Sequence, residues 1–242
     1  MEDNAPHVFR NFAGSWPAVS DPTRQWKNTE QLRSRLMEHE EDAVVPVEFN
    51  GTYMSKDMVK QNVGFVSILD TLLAEATELK KSVVKDERYA NTKNFMQWYL
   101  AQYELGDSSN LMREDVETPS MLNSDDYTIY RNNLWLGGHA GTVSPCHFDP
   151  FHNLLVQITG EKSVLLFDHS QAEFLYPASG VQKNTSSIEN CDEVDLTKFS
   201  KFADASGLAT VLQPGDCLYI PKKDWHFCKT ESASCSVNWW FV

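Results

Sequence analysis

From Tyr127 to Phe241 the chain is written in short apolar and β-branched runs separated by turn residues, and this rhythm restricts the fold more than any other feature. The runs are Tyr127 to Gly137, Val143 to His147, Asn153 to Ile158, Ser163 to Phe167, Leu208 to Leu212, Cys217 to Ile220, His226 to Lys229 and Cys235 to Phe241. Many strand-length segments at close spacing predict a sandwich or barrel. Thr159-Gly160-Glu161 reads as a tight hairpin connection between two of them, and Pro214-Gly215-Asp216 as another turn. Ser170 to Phe202 interrupts the rhythm with polar text and an expected short helix at Leu196 to Phe199. An insertion of that length between strands predicts a lid or a rim.

The first half reads differently. His7 to Trp16 alternates apolar and polar residues and predicts a short strand closed by a turn at Trp16-Pro17. Asn28 to Glu38 carries cap residues followed by Leu32, Leu36 and Met37 at helical spacing. Ala43 to Phe49 is β-branched and ends at the turn signal Asn50-Gly51. Val63, Val66, Leu69, Leu72, Leu73 and Ala76 are in helical register, so Lys56 to Leu79 predicts a helix interrupted at Gly64. Leu79 to Thr92 is charged and reads as loose surface, Asn94 to Tyr103 as an aromatic strand, and Gly106 to Asp126 as an acidic loop with one helical turn. The expected organisation is one domain over residues 1–242, with a helical and strand cover to about residue 126 and a β core from about 127.

Composition excludes several classes. A chain with 41% hydrophobic and 12% aromatic residues has the material for a large core, so it is not a disordered protein. No apolar run approaches the roughly 20 residues of a membrane helix, and the start lacks a basic n-region and apolar h-region, so an intracellular location, nuclear or cytoplasmic, is expected. Five scattered cysteines without a Cys-x-x-Cys pair argue against a disulfide framework or a zinc knuckle. A net charge of -13 opposes a phosphate backbone and favours a basic protein or peptide as partner, with nucleic acid ranked below it.

The chemistry concentrates in Ser144-Pro-Cys-His-Phe-Asp-Pro-Phe-His-Asn153. His147 and Asp149 are two residues apart, which on an extended strand puts an imidazole and a carboxylate on one face. A second imidazole would complete a 2-His-1-carboxylate triad, the ligand set of non-haem Fe(II) oxygenases. His226 is the candidate, since it follows the apolar run Cys217 to Ile220 that ends at Pro221. Taken singly these residues have plainer readings. A His-x-Asp arises by chance, His152 and His169 read as polar loop residues, Lys162 as a hairpin lysine, and Tyr99 and Trp240 as core aromatics.

Taken together the motifs resemble the JmjC family of Fe(II)- and 2-oxoglutarate-dependent oxygenases. They are His147-x-Asp149, Asn153 to Lys162, Phe174-Leu-Tyr-Pro177, Leu212 to His226 and Ser236-Val-Asn-Trp-Trp240, and the resemblance covers nearly the whole chain. Val45-Pro-Val-Glu48, Tyr99-Leu-Ala-Gln102, Asn184-Thr-Ser186 and Trp239-Trp240 are most similar to the arginyl-hydroxylase type within it. The resemblance implies a mainly β fold with flanking helices, a double-stranded β-helix of jelly-roll, cupin type. It implies Fe(II) held by His147, Asp149 and His226, with 2-oxoglutarate and dioxygen at the open positions. In the family a lysine on the strand after the His-x-Asp strand grips the distal carboxylate of 2-oxoglutarate, and Lys162 matches it. Tyr99, Ser144 and Asn153 match positions that hydrogen-bond the cosubstrate, Gln102 and Trp240 line the same pocket, and Asn238 is a further member.

The implied reaction is hydroxylation of a side chain of a protein or peptide, a basic residue such as arginine, with release of succinate and carbon dioxide. Three alternatives stay open: removal of a methyl from N-methyl-lysine in histones, hydroxylation of a modified tRNA base, and a catalytically silent cupin-like binding module. Substrate identity and oligomeric state are not written in these motifs.

Overall fold

The computed structural model describes residues 5–27, 30, 32–34, 44–49, 59–67, 69–70, 98–105, 114–138 and 140–242. Twelve strands are laid out in it: β1 (His7–Phe9), β2 (Val44–Phe49), β3 (Val59–Gly64), β4 (Trp98–Glu104), β5 (Ile129–Gly137), β6 (Val143–His147), β7 (His152–Thr159), β8 (Lys162–Phe167), β9 (Leu208–Leu212), β10 (Cys217–Ile220), β11 (Trp225–Thr230) and β12 (Ser234–Phe241). They form two antiparallel sheets. The larger runs β1-β10-β7-β12-β5-β4-β2-β3 and the smaller β6-β11-β8-β9, the two-sheet arrangement of a jelly roll.

Strand alternation in the larger sheet feeds two separate interiors. Leu154, Val156, Ile158, Val237, Trp239 and Phe241 point to its outer face and pack with Ala13, Trp16 and Trp26 of the N-terminal segment. The intervening residues Leu155, Leu218 and Ile220 point inward, against Val164, Leu166, Leu212 and Cys228 of the smaller sheet. Period-two alternation thus gives one strand two buried faces. Trp16 meets Trp239 edge-on at 5.9 Å between centroids, which anchors the N-terminal segment to the back of the sheet.

The structure redraws several expectations. Val59–Gly64, expected in a helix, is β3: Val63 pairs with Val45, and helix begins only at Phe65. An available β2 edge offers Val59 to Gly64 ladder bonds along their whole length, and such tertiary pairing overrides local register. Of the rest of that expected helix, residues 65–67 and 69–70 are helical as expected and the remainder lies outside the described residues, as do most of the helix expected at Asn28 to Glu38 and the charged stretch Leu79 to Thr92; residues 30 and 32–34 are helical. Pro17 does not end structure but opens the four-residue helix α1 (Pro17–Ser20), where its missing N–H costs nothing. The division expected near residue 126 is not a division of the sheet, since β1, β2, β3 and β4 extend the sheet that holds β5, β7, β10 and β12.

Thr159-Gly160-Glu161 is a tight turn but not a hairpin. β7 pairs with β10 and β12 while β8 pairs with β11 and β9, so the turn carries the chain from one sheet to the other. Gly160 has φ +67°, and a Cβ there would collide with the Ala233 carbonyl, so this corner requires glycine. In the insertion, Leu196 to Lys198 is a turn and the 3-10 helix follows at Ser200–Asp204.

Candidate active site

One pocket between the two sheets is lined by Tyr99, Trp135, Ser144, His147, Asp149, Asn153, Leu155, Lys162, Ile220, His226 and Cys228. His147 and His226 are brought together by register, because β6 and β11 pair with these two residues opposite each other and their rings stand 4.3 Å apart. Asp149 lies just beyond the end of β6 and not on it. Its position is fixed from two sides instead. Phe148 exchanges hydrogen bonds with Asn184 of the insertion, the Phe148 N–H donating to the Asn184 carbonyl at 2.9 Å, and the Asp149 carbonyl accepts from the Lys223 N–H at 2.8 Å. The insertion therefore braces the segment that carries His147 and Asp149.

The ligand atoms of His147, Asp149 and His226 all lie within 4.8 Å of one another, with His226 Nε2 and Asp149 Oδ2 3.6 Å apart. Each imidazole turns its Nδ1 to a backbone carbonyl, His147 to Pro145 at 2.7 Å and His226 to Asp224 at 3.1 Å. A carbonyl only accepts, so Nδ1 carries the proton and the Nε2 lone pair is presented to the pocket, the usual second support of a metal-bound histidine. Burial, reinforced by the neighbouring His147, lowers the His226 pKa to about 4, so this imidazole is neutral at pH 7. Two imidazole nitrogens and one carboxyl group fit a divalent first-row metal with positions left open.

Lys162 fits a single carboxylate or other anionic group entering the pocket. It is 3% exposed, and among the described residues no carboxylate lies within ion-pairing distance of it. Burial lowers its pKa, the sign of a cation short of a counter-charge. It opens β8, two strands after β6 in the chain rather than one, and reaches the pocket because β8 is the second neighbour of β6 in the smaller sheet. The Ser144 hydroxyl is 3.5 Å from the Tyr99 hydroxyl on the opposite wall.

Asn238 and Trp240 are placed behind the lining. The Asn238 amide donates to Asn153 Oδ1 at 2.9 Å, while its own Oδ1 accepts from Trp135 Nε1 at 2.7 Å and from the Asn133 amide at 3.2 Å. Asn238 thus sets the orientation of Asn153 rather than facing the cavity. Trp240 packs with Tyr99, Ala101 and Trp135. Gln102 is not among the lining residues. It is three residues from Tyr99, an odd spacing that strand alternation puts off the Tyr99 face, and it sits at φ +56° where the β4–β5 register shifts.

Two residues were not picked out from the sequence. Trp135 lines the pocket, and its place on β5 opposite Ser236 was legible only once strands were paired. Glu48 pairs with Tyr99 across β2 and β4, hence shares its face; its carboxylate is 3% exposed, with Oε1 3.0 Å from Lys60 Nζ and Oε2 without a partner among the described residues. Burial raises the Glu48 pKa, with Lys60 opposing.

Comparison with known proteins agrees with this geometry. The family of the cupin-like domain matches residues 1–242. The chain is 30% identical over 236 residues to the lysine-specific demethylase JMJ30 of Arabidopsis thaliana, covering 98% of this chain and 49% of that protein. It is 32% identical over 246 residues to the Jumonji C domain-containing protein 5 of Drosophila melanogaster, covering 100% of this chain and 55% of that protein. With the lysine-specific demethylase 8 of Danio rerio it shares 39% identity over 149 residues, 59% of this chain and 36% of that protein. The chain spans about half the length of the first two of these relatives. It belongs to the cupin-like domain family, among its JmjC 2-oxoglutarate oxygenases.

Proposed function

We propose that this chain is an Fe(II)- and 2-oxoglutarate-dependent hydroxylase of a basic side chain, arginine before lysine, in a protein or peptide. The observation that carries the cosubstrate is Lys162, a buried cation lining the same pocket as the His147, Asp149 and His226 donors. His147, Asp149 and His226 would hold the metal. Lys162 would take the distal carboxylate, with Tyr99, Ser144 and Asn153 adding hydrogen bonds. Iron and 2-oxoglutarate, when bound, would supply oxidative decarboxylation by dioxygen, one of its oxygen atoms entering succinate as carbon dioxide leaves and the other entering a substrate C–H bond as hydroxyl.

The protein's own part is to bind, orient and keep water out. Asn238 and Trp135 lock the Asn153 amide, and Leu155 and Ile220 make the inner wall apolar. Glu48 supports the choice of a basic substrate. Its buried carboxylate lies on the Tyr99 face with Oε1 held by Lys60 and Oε2 without a partner among the described residues, and one N–H of a guanidinium would satisfy that oxygen. The net charge of -13 works in the same direction at longer range and against tRNA.

N-methyl-lysine demethylation is the second reading, favoured by the names of two of the relatives. The deciding experiment incubates methylated and unmethylated arginine- and lysine-containing peptides with protein, Fe(II) and 2-oxoglutarate, and follows peptide mass, succinate and formaldehyde. Gain of one oxygen on unmethylated peptide is expected. Formaldehyde with methyl loss and no oxygen gain would establish demethylation instead, and turnover of tRNA alone would sink both. Absence of succinate under every condition would leave the silent binding module.

A further inference from the structure

A row of stacked aromatic rings leads from the pocket wall to solvent. Trp240 packs with the pocket residues Tyr99 and Trp135. Phe151, two residues after Asp149, stacks on Trp240 at 6.0 Å and 27°. Tyr130 stacks on Phe151 at 4.2 Å and 15°, and Tyr130 is 56% exposed. Simple alternation along β5 does not account for this position. Arg131 pairs with Trp240 and Ile129 with Phe241, so Tyr130 is the extra residue of a β-bulge. Bulges re-aim a side chain and gather beside active sites. This one turns a large ring onto Phe151 and leaves more than half of it in water, where an aromatic surface gains nothing unless something covers it.

We propose that Tyr130 and Phe151 form a platform for an arginine guanidinium of the peptide substrate, at a position flanking the residue that enters the pocket. This rests on the basic-peptide reading given above and adds a second recognition point outside the pocket. Two observations select a guanidinium over an apolar partner. The exposed part of an electron-rich phenol attracts a planar cation, and the protein's own Arg131, 5.7 Å from the Tyr130 centroid, has its charge offset by Glu104 at 3.2 Å, so an incoming guanidinium shares the ring with a neutralised neighbour. Asp125 and Asp126 are exposed on the segment that enters β5, and the whole chain is at -13. A flanking arginine would lie across the Tyr130 face while its peptide backbone runs past Phe151 toward the metal-binding residues.

The test measures binding, not turnover. The probe is a nine-residue peptide of alternating arginine and glycine, titrated calorimetrically into the Mn(II)- and 2-oxoglutarate-loaded protein, with a citrulline-for-arginine peptide as the uncharged control. Tyr130→Ala and Phe151→Ala are each expected to weaken the arginine peptide about 5- to 10-fold, on the scale of a partly desolvated cation–π contact, and Tyr130→Phe to keep most of the affinity. The citrulline peptide should bind the parent weakly and the variants no worse. Arginine-peptide affinity unchanged in Tyr130→Ala and Phe151→Ala, or no binding to the parent protein, overturns the platform. Thermal melting of each variant shows that it is folded. 2-Oxoglutarate affinity, measured in the same titrations, is expected to stay constant. If 2-oxoglutarate fails to bind while peptide affinity still follows Tyr130, the catalytic reading falls and the platform stands.

Discussion

Among the described residues two clusters have nearly the same donors in different surroundings. His147, Asp149 and His226 form one; Asp168, His169 and Asp224 form the other, with ligand atoms equally close. In the first the histidines are buried, their Nδ1 atoms are held by backbone carbonyls, and their Nε2 atoms meet a carboxylate in a pocket. In the second Asp168 and His169 are exposed, and the carboxylates are already engaged. Asp168 accepts from the Ser170 N–H at 2.8 Å, capping the 3-10 helix His169–Phe174, and Asp224 accepts from the His169 N–H at 3.3 Å. A donor set becomes a metal site only when its lone pairs are left over from the fold. The second cluster uses its own to satisfy a turn.

The sharpest break of this comparison is at Asp149. Asp149→Ala is expected to abolish turnover and weaken Mn(II) binding while the melting curve stays cooperative; a folded variant with full activity would put the metal elsewhere, with the second cluster the first place to look.

Lys162 carries the next largest effect. Lys162→Ala should weaken 2-oxoglutarate binding by about 2 to 4 kcal/mol, the scale for truncating one partner of a buried charge pair, with metal affinity little changed. Calorimetry showing equal affinity would assign the anchor to Lys222 or Lys223.

At Asp224 the clusters touch, because its backbone supports His226 while its side chain belongs to the capping cluster. Burial raises its pKa to about 6. The folded protein therefore binds more protons here than the unfolded chain between about pH 4 and 6, so this carboxyl stabilises the fold at low pH and costs stability once pH rises above about 6. Asp224→Asn should accordingly raise stability at pH 8 by on the order of 2 kcal/mol, with the gain fading toward pH 4. His226 has the opposite sign. Its lowered pKa makes the metal-free fold lose stability as pH falls from about 6.5 to about 4, a contribution that cancels when variant and parent are compared at one pH. A stability gain for Asp224→Asn that is the same at pH 5 and pH 8 would contradict the assignment.

The smallest effect belongs to His169. His169→Ala should leave metal affinity and turnover unchanged and alter stability by no more than about 0.5 kcal/mol, since its side chain is 68% exposed and meets the two carboxylates only at 3.6 and 4.0 Å. Loss of metal in this variant would erase the distinction between the two clusters.

Much of this protein was settled by local text. The strand runs after Tyr127 and the turn at Gly160 depend on alternation and turn chemistry, which neighbouring residues specify among themselves, whereas Asp149 lies beyond β6 and is placed by backbone bonds between Phe148 and Asn184 and from the Lys223 N–H to its own carbonyl. The strands' partners were not so specified. Thr159-Gly160-Glu161 has the residues of a hairpin, yet only the completed sheets show that it crosses between them. Val59–Gly64 carries a helical pattern that an available β2 edge overrides. Glu48, Trp135 and the Tyr130 bulge take their roles from cross-strand register, a relation between residues far apart in the chain. Sequence determined most of the segments that extend after Tyr127 and named the candidate side chains. Only the tertiary structure decided which of those side chains meet, because pairing is chosen by the burial and ladder bonds of the whole sheet and no single segment contains that information.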